Sequence, residues 1–249
     1  MVNKLHYYPA TGRGHALRLA MAAGGIEWED TFPEGGYPPS EEQVLKWRAI
    51  GGNTTTNVPM LEMEDGKVYT QSSAVLRVIG RMGNLMPSLD EDLYLVDKLI
   101  ADAEDLRDAA YKSFVNWGAS QDDVKKFMED NFPKHVGNLD RQLGSKEYFV
   151  GDSLSIADIA VYDVIVNFGT NRFSEEMTPL ESFPKIQEFV KRVESNDGIA
   201  SYLNSDKYAN VYKFGKETLG LYNEEERVFG RNFKSLPRHT YVRRYSCGL

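Results

Sequence analysis

The sequence predicts an α+β chain in two parts, a small mixed-sheet unit followed by a helical one. Three observations predict it. Strand-like and helix-like periods alternate over the first ~85 residues. A turn signal, Glu64-Asp65-Gly66, joins two short strand-like runs, and the strand signal stops after Gly83-Asn84-Leu85-Met86-Pro87.

Each element has its own justification. Lys4 to Tyr8 alternates as a short strand does. Arg13 to Ala23 follows as a helix with apolar Leu17, Leu19, Ala20 and Ala23. Ile26 to Phe32 is a second strand, Glu41 to Arg48 a helix, and Val58 to Glu64 with Lys67 to Thr70 a hairpin. Ser72 to Met82 places Val75, Val78, Ile79 and Met82 on one helical face. A βαβ crossover requires parallel pairing and a tight turn antiparallel pairing, so the sheet is mixed. Beyond the boundary, amphipathic helices are expected over Leu93 to Trp117, Asp122 to Leu143, Ser155 to Phe168 and Pro184 to Val193. The expected division is 1–83, 90–205 and an irregular, aromatic and basic extension over 206–249.

Composition limits the functions open to such a chain. It has 249 residues, 41% hydrophobic and 27% charged, with mean hydropathy -0.46. No stretch approaches the roughly 18 apolar residues of a membrane helix. Met1-Val2-Asn3-Lys4 leads straight into the first strand without the apolar core of a signal peptide, so a cytoplasmic location is expected. Cys247 is the only cysteine, third from the end. It excludes an internal disulfide or a dithiol redox centre and misses the prenylation spacing. With four scattered histidines, no metal site is expected. The net charge of -8 combines +6 after Glu226, from Arg227, Arg231, Lys234, Arg238, Arg243 and Arg244, with -14 elsewhere. So acidic a body argues against nucleic acid. The basic tail is either solvated or laid on an acidic surface, its own or a partner's.

Five local motifs bear on chemistry or on the folding of the chain. Val58-Pro59 opens the hairpin; a cis proline there would turn the Val58 backbone outward to pair with a peptide as an added strand does. It is also what an edge strand needs. Gln71-Ser72 marks a strand-to-helix junction, with Ser72 the expected N-cap and the helix N-terminus a place for a carboxylate. Tyr7 and Tyr8 end the first strand, one facing the core and the other the opposite side. A hydroxyl there could donate to an acceptor in the neighbouring cleft, although aromatic residues in strands usually serve packing. Glu104 and Asp105 alone are an ordinary solvated helix face. Asp152 to Asp158 contains a capping box, Ser155 with Asp158, and a hydrophobic staple of Leu154 and Ile159; it is a folding device.

Together these pieces resemble the cytosolic glutathione transferases over roughly residues 3 to 203. The similarity lies in Leu5 to Pro9 with Gly12-Arg13 and Ala16-Leu17-Arg18, in Asn57 to Leu61, in Thr70 to Arg77, and in Val96-Asp97 through Glu104 to Arg107. Gly151 to Tyr162 resembles the capping box of the family's sixth helix. The motifs are those of the tyrosine-type classes (Sigma, Pi, Mu, Alpha). The resemblance implies a thioredoxin-like first domain, an all-helical second domain, a homodimer, and glutathione as co-substrate with no metal. It implies Tyr7 as the catalytic tyrosine and Tyr8 as a mostly aromatic packing position. Arg13 falls in the active-site region. Val58, with Asn57 and Pro59, matches the strand that pairs with the cysteinyl backbone, and Gln71 with Ser72 the site of the γ-glutamyl end. Asp105 matches an acidic residue reaching the γ-glutamyl amine across the dimer. Trp47 with Lys46 or Arg48 offers the chemistry for the glycyl carboxylate. Tyr8, Tyr111 and Phe114 would line the electrophile site. Departures are Thr11, where several relatives carry arginine, the segment 49–57, and the extension. The implied activity is conjugation of the glutathione thiolate to small apolar electrophiles. A weakly catalytic, crystallin-like or ligand-binding relative and a Sigma-like glutathione-dependent isomerase are the alternatives.

Overall fold

The computed structural model describes residues 2–33, 39–52, 58–115, 120–169 and 179–213. Strands β1 (Asn3–His6), β2 (Trp28–Thr31), β3 (Met60–Glu62) and β4 (Val68–Thr70) form one sheet in the order β2-β1-β3-β4. β1 pairs parallel with β2 through Leu5 and Asp30, and antiparallel with β3 through Leu5 and Leu61. β3 and β4 close the hairpin, with Leu61 opposite Tyr69. The mixed pairing expected from the sequence is therefore present.

Helices α1 (His15–Ala23), α2 (Glu41–Ile50) and α3 (Ser72–Met82) accompany the sheet, with a 3-10 turn over Gly12–Gly14 leading into α1. α1 buries Leu17, Leu19 and Ala20 and packs on α3. Where the two helices end side by side, a Cβ on Gly24 would lie 2.6 Å from the Gly83 Cα. Any side chain there would force them apart.

The second part begins with α4 (Asp90–Ala110), which continues as a wider π-helical turn over Tyr111–Val115. Then come α5 (Gln121–Lys126), a π turn over Phe127–Asn131, α6 (Phe132–Leu143), α7 (Ile156–Phe168), α8 (Pro184–Glu194), α9 (Asp197–Leu203) and α10 (Asp206–Ala209). The single helix expected over 122–143 is thus two helices joined by a π turn. α7 is buried on nearly every side and lies against α4 and α1. Its capping box is formed: Ser155 N–H and Oγ donate to Asp158 Oδ2 at 2.8 and 2.7 Å, and Phe149 N–H donates to Oδ1 at 2.7 Å. Ile156 N–H donates to Leu85 O at 3.1 Å, so the helix start is pinned to the segment joining the two parts.

α9 and α10 do not stand out in the sequence because they are only about two turns and one turn long. Residues 206–213 nevertheless fold onto the body. Val211 is buried, Tyr212 N–H donates to Pro9 O at 2.8 Å, and Thr11 N–H donates to Tyr212 O at 2.8 Å. Among the described residues no helix is long and apolar enough to cross a membrane.

Candidate active site

The loop after β1 is held peptide by peptide. Arg18, wholly buried on α1, donates from Nη1 to Ala10 O at 2.8 Å and from Nη2 to Tyr8 O at 3.1 Å. Its Nε donates to Asp30 Oδ1 at 2.8 Å, which supplies the opposite charge a buried guanidinium requires. Tyr212 grips Pro9 and Thr11 from the other side. Gly12 follows at φ 38, in the left-handed region that favours glycine.

This loop places Tyr7. Its ring is 7% exposed, and Arg18 lies over it at 5.8 Å. The Arg13 N–H donates to Tyr7 Oη at 2.8 Å. Burial pushes the phenol's pKa above its usual value, against the opposing pull of the Arg13 N–H and of Arg107, Arg18 and Arg13. The group is therefore a protonated hydroxyl at neutral pH. With an oxygen lone pair already serving Arg13, its own proton is available to a second acceptor.

A file of charges runs from this point into the helical part. The Arg13 guanidinium pairs with Glu104 Oε2 and, at 3.0 Å, with Asp108 Oδ1, and it lies over the Tyr111 ring at 5.8 Å. Glu104 also accepts from Arg107 Nε at 2.9 Å. Arg107 Nη2 donates to Asp163 Oδ2 at 2.6 Å, and Asp163 Oδ1 meets His15 Nδ1 at 2.7 Å. Burial raises the Asp163 pKa, but Arg107 and His15 more than reverse this and hold it below the ordinary carboxylate value. Glu104, which the sequence leaves as a solvated helix residue, is thus a bridge between two arginines. Only its partners' positions in space reveal that.

On the other side of β1, the Val58–Pro59 peptide is cis. Gln71, not Ser72, occupies the N-cap of α3, and its side chain makes no capping hydrogen bond. Ser72 is the first helical residue, a correction to its expected place. Gln71 takes φ 70, which costs a non-glycine residue about 1–3 kcal/mol and persists only where the surroundings impose it. An uncapped helix start retains free N–H donors and its positive dipole end, the chemistry that receives a carboxylate.

Two family models match the chain, the glutathione S-transferase N-terminal domain over residues 3–81 and the C-terminal domain over 104–206. The chain belongs to the glutathione S-transferase family. It is 28% identical over 209 residues to human glutathione S-transferase P, covering 82% of this chain and 93% of that protein. Bovine glutathione S-transferase Mu 1 is 28% identical over 206 residues, 82% of this chain and 91% of its own. Rat glutathione S-transferase Mu 2 is 28% identical over 214 residues, 85% and 95%.

The structure of this glutathione S-transferase gathers some of the expected site residues and leaves others apart. Tyr7, Tyr8 and Trp47 form an edge-to-face aromatic run, with centroids 5.4 Å apart for the first pair and 5.5 Å for the second. Trp47 is 1% exposed, so its ring serves the core beneath Tyr8. Arg48 is half-buried and its Nε has no hydrogen-bond partner among the described residues, while Lys46 is exposed and pairs with Glu42 at 3.1 Å. Tyr111 is half-buried against Phe168, with ring centroids 6.1 Å apart. Asp105 lies on the exposed side of α4, away from Glu104, in a 410 Å³ groove with Asp102, Lys134, His135, Asn138 and Arg141. Asn57 and the Phe114 side chain lie outside the described residues. The pieces that sequence reasoning passed over are Arg18, Glu104, Arg107 and Asp163. Their signal is a charged residue inside an otherwise apolar helical run, as with Arg18 among Leu17, Leu19 and Ala20.

Proposed function

We propose that this transferase conjugates the thiolate of glutathione to small apolar electrophiles, the sulfur being kept ionised by the Tyr7 hydroxyl. The observation that carries the reading is the buried phenol whose oxygen accepts from Arg13 N–H at 2.8 Å. A free thiol has a pKa of about 8.5, so only a few per cent is thiolate at neutral pH. A neutral hydroxyl donating to sulfur stabilises the anion without taking its proton. A downward shift of about two units would make the thiolate the main form at pH 7, at about 1.4 kcal/mol per unit. The thiolate attacks the electrophilic carbon, a carbon–sulfur bond forms, and the leaving group departs or the product carbanion is protonated from water.

In this reading the cysteinyl backbone pairs with Val58 beside Pro59 and Asn57. The γ-glutamyl carboxylate sits at the start of α3 on Gln71 and Ser72. The glycyl carboxylate meets Arg48, whose Nε has no partner among the described residues, with Trp47 and Lys46 nearby in sequence. Tyr8, Tyr111 and Phe114 form the electrophile wall. Asp105 serves glutathione in a second copy of the chain. A homodimer is supported by Met82, Leu89, Tyr94 and Leu95, apolar residues exposed on the end of α3 and the start of α4. The cytoplasm is the proposed location.

The test is conjugation of glutathione to an aryl halide by the full chain and by Tyr7→Phe. Turnover falling by about 10–100-fold, with glutathione binding within a few-fold, supports the assignment. Retention on immobilised glutathione without turnover would leave a binding protein.

A further inference from the structure

One peptide group, Gly12–Arg13, is held from both ends. Its carbonyl oxygen accepts from Arg107 Nη1 at 3.2 Å, and its N–H donates to Tyr7 Oη at 2.8 Å. A single amide thus stands between a buried cation and the phenol. A cation on the carbonyl oxygen draws electron density toward it and makes the N–H a stronger donor. A stronger donor on the phenol oxygen makes the phenol's own proton easier to share with an anion.

Arg107 is built to hold this position. It is 2% exposed, and its guanidinium nitrogens are all engaged: Nε with Glu104, Nη2 with Asp163 and Nη1 with Gly12. Burial disfavours its charge, yet Asp163, Glu104 and Tyr111 outweigh burial and secure its proton more firmly than usual. Asp163 is fixed in turn by His15 and by Asn167 Nδ2 at 2.7 Å. The brace runs from α7 through α4 to the loop after β1, so the helical part sets the geometry of a group in the sheet part.

We propose that Arg107 is a positioning residue for thiol activation, acting on Tyr7 through the Gly12–Arg13 peptide that it holds and polarises. The proposal rests on the Tyr7 reading above. Two other charges face Tyr7: Arg13, which shares Glu104 with Arg107, and Arg18, which is held apart from it by Asp30 and the Tyr8 and Ala10 carbonyls.

The experiment titrates the thiol of bound glutathione by its thiolate absorbance in four proteins: unaltered, Arg107→Lys, Tyr7→Phe, and the double variant. Lysine keeps a positive charge beside Glu104 and Asp163, but one ammonium cannot span them and Gly12 together. Arg107→Lys is expected to lower the thiolate fraction about three- to tenfold below the pKa, a rise of roughly half to one unit. Glutathione affinity stays within a few-fold. In the Tyr7→Phe background the same change has no further effect, because the phenol that relays it is gone. A residue that merely stabilised the fold would act in both backgrounds. An unmoved titration in Arg107→Lys, or an equal shift with and without Tyr7, overturns the proposal. If Tyr7→Phe alone leaves the thiol unmoved, the Tyr7 reading falls and takes this one with it. Should Arg107→Lys not fold, Arg107→Gln with Asp163→Asn removes both charges and is expected to give the same background-dependent pattern.

Discussion

Gly14→Ala tests whether the Tyr7 ring must sit where it does. Gly14 has φ -88, so alanine adopts its backbone without strain and any effect is steric. A Cβ there would lie 2.5 Å from Tyr7 Cδ1 and 2.9 Å from Cγ. Ordinary contact begins at 3.4 Å, so ring and loop must separate by about 0.9 Å. The ring is packed on Arg18 and Tyr8 and has little room to withdraw. Overpacking of this kind costs about 1–3 kcal/mol, or roughly 2–12 °C in Tm for a chain of this size. A displacement near 1 Å also disturbs the Arg13–Tyr7 hydrogen bond, and such misplacement is worth up to about a hundredfold in rate. The assay is kcat/KM with an aryl halide beside a thermal melt, and the expectation is a 10–100-fold loss while the protein still folds. A variant that turns over like the parent would show that the phenol's position is not critical.

Gln71→Gly relieves the left-handed backbone and is expected to raise stability by about 1 kcal/mol while weakening glutathione binding, read by melting and by KM. Asp163→Asn leaves Arg107 and His15 without their buried anion and is expected to cost about 3–5 kcal/mol at neutral pH. Because the folded pKa of Asp163 lies below the unfolded one, near 3.9, its contribution is complete above that value. It fades as pH falls through the folded pKa, so denaturant titrations of parent and variant should converge in acid. A chain ending at 205 loses the Tyr212 clamp on Pro9 and Thr11, whereas one ending at 213 keeps it. The shorter chain is expected to lose turnover and several degrees of Tm relative to the one ending at 213, by the same paired assays.

The parts of the fold that rest on local pattern were legible in the sequence. α3 could be placed from Val75 and Ile79, the hairpin from Asp65-Gly66, and the start of α7 from Ser155 and Asp158, because each signal lies within a few residues of what it specifies. The π turn after Lys126 was not, since its amphipathic period runs on unchanged through Phe127 and Met128. The site divides in the same way. Tyr7, Val58-Pro59 and Gln71 stand out through the motifs around them. The Glu104–Arg107–Asp163 brace joins residues on two helices to a loop 95 residues away from Arg107, and no spacing along the chain encodes that meeting. Ser72 was misplaced by one position because the serine that best suits a cap follows a residue forced into the capping role by its backbone.

The measurement closest to the central claim is the pH titration of the sulfur in the complex of the full chain with glutathione. If the Tyr7 hydroxyl shares its proton with the sulfur, thiolate absorbance appears with a midpoint about two units below that of the free tripeptide, and the midpoint returns toward the free value in Tyr7→Phe. A bound thiol that ionises at the same pH as glutathione in buffer would contradict the account.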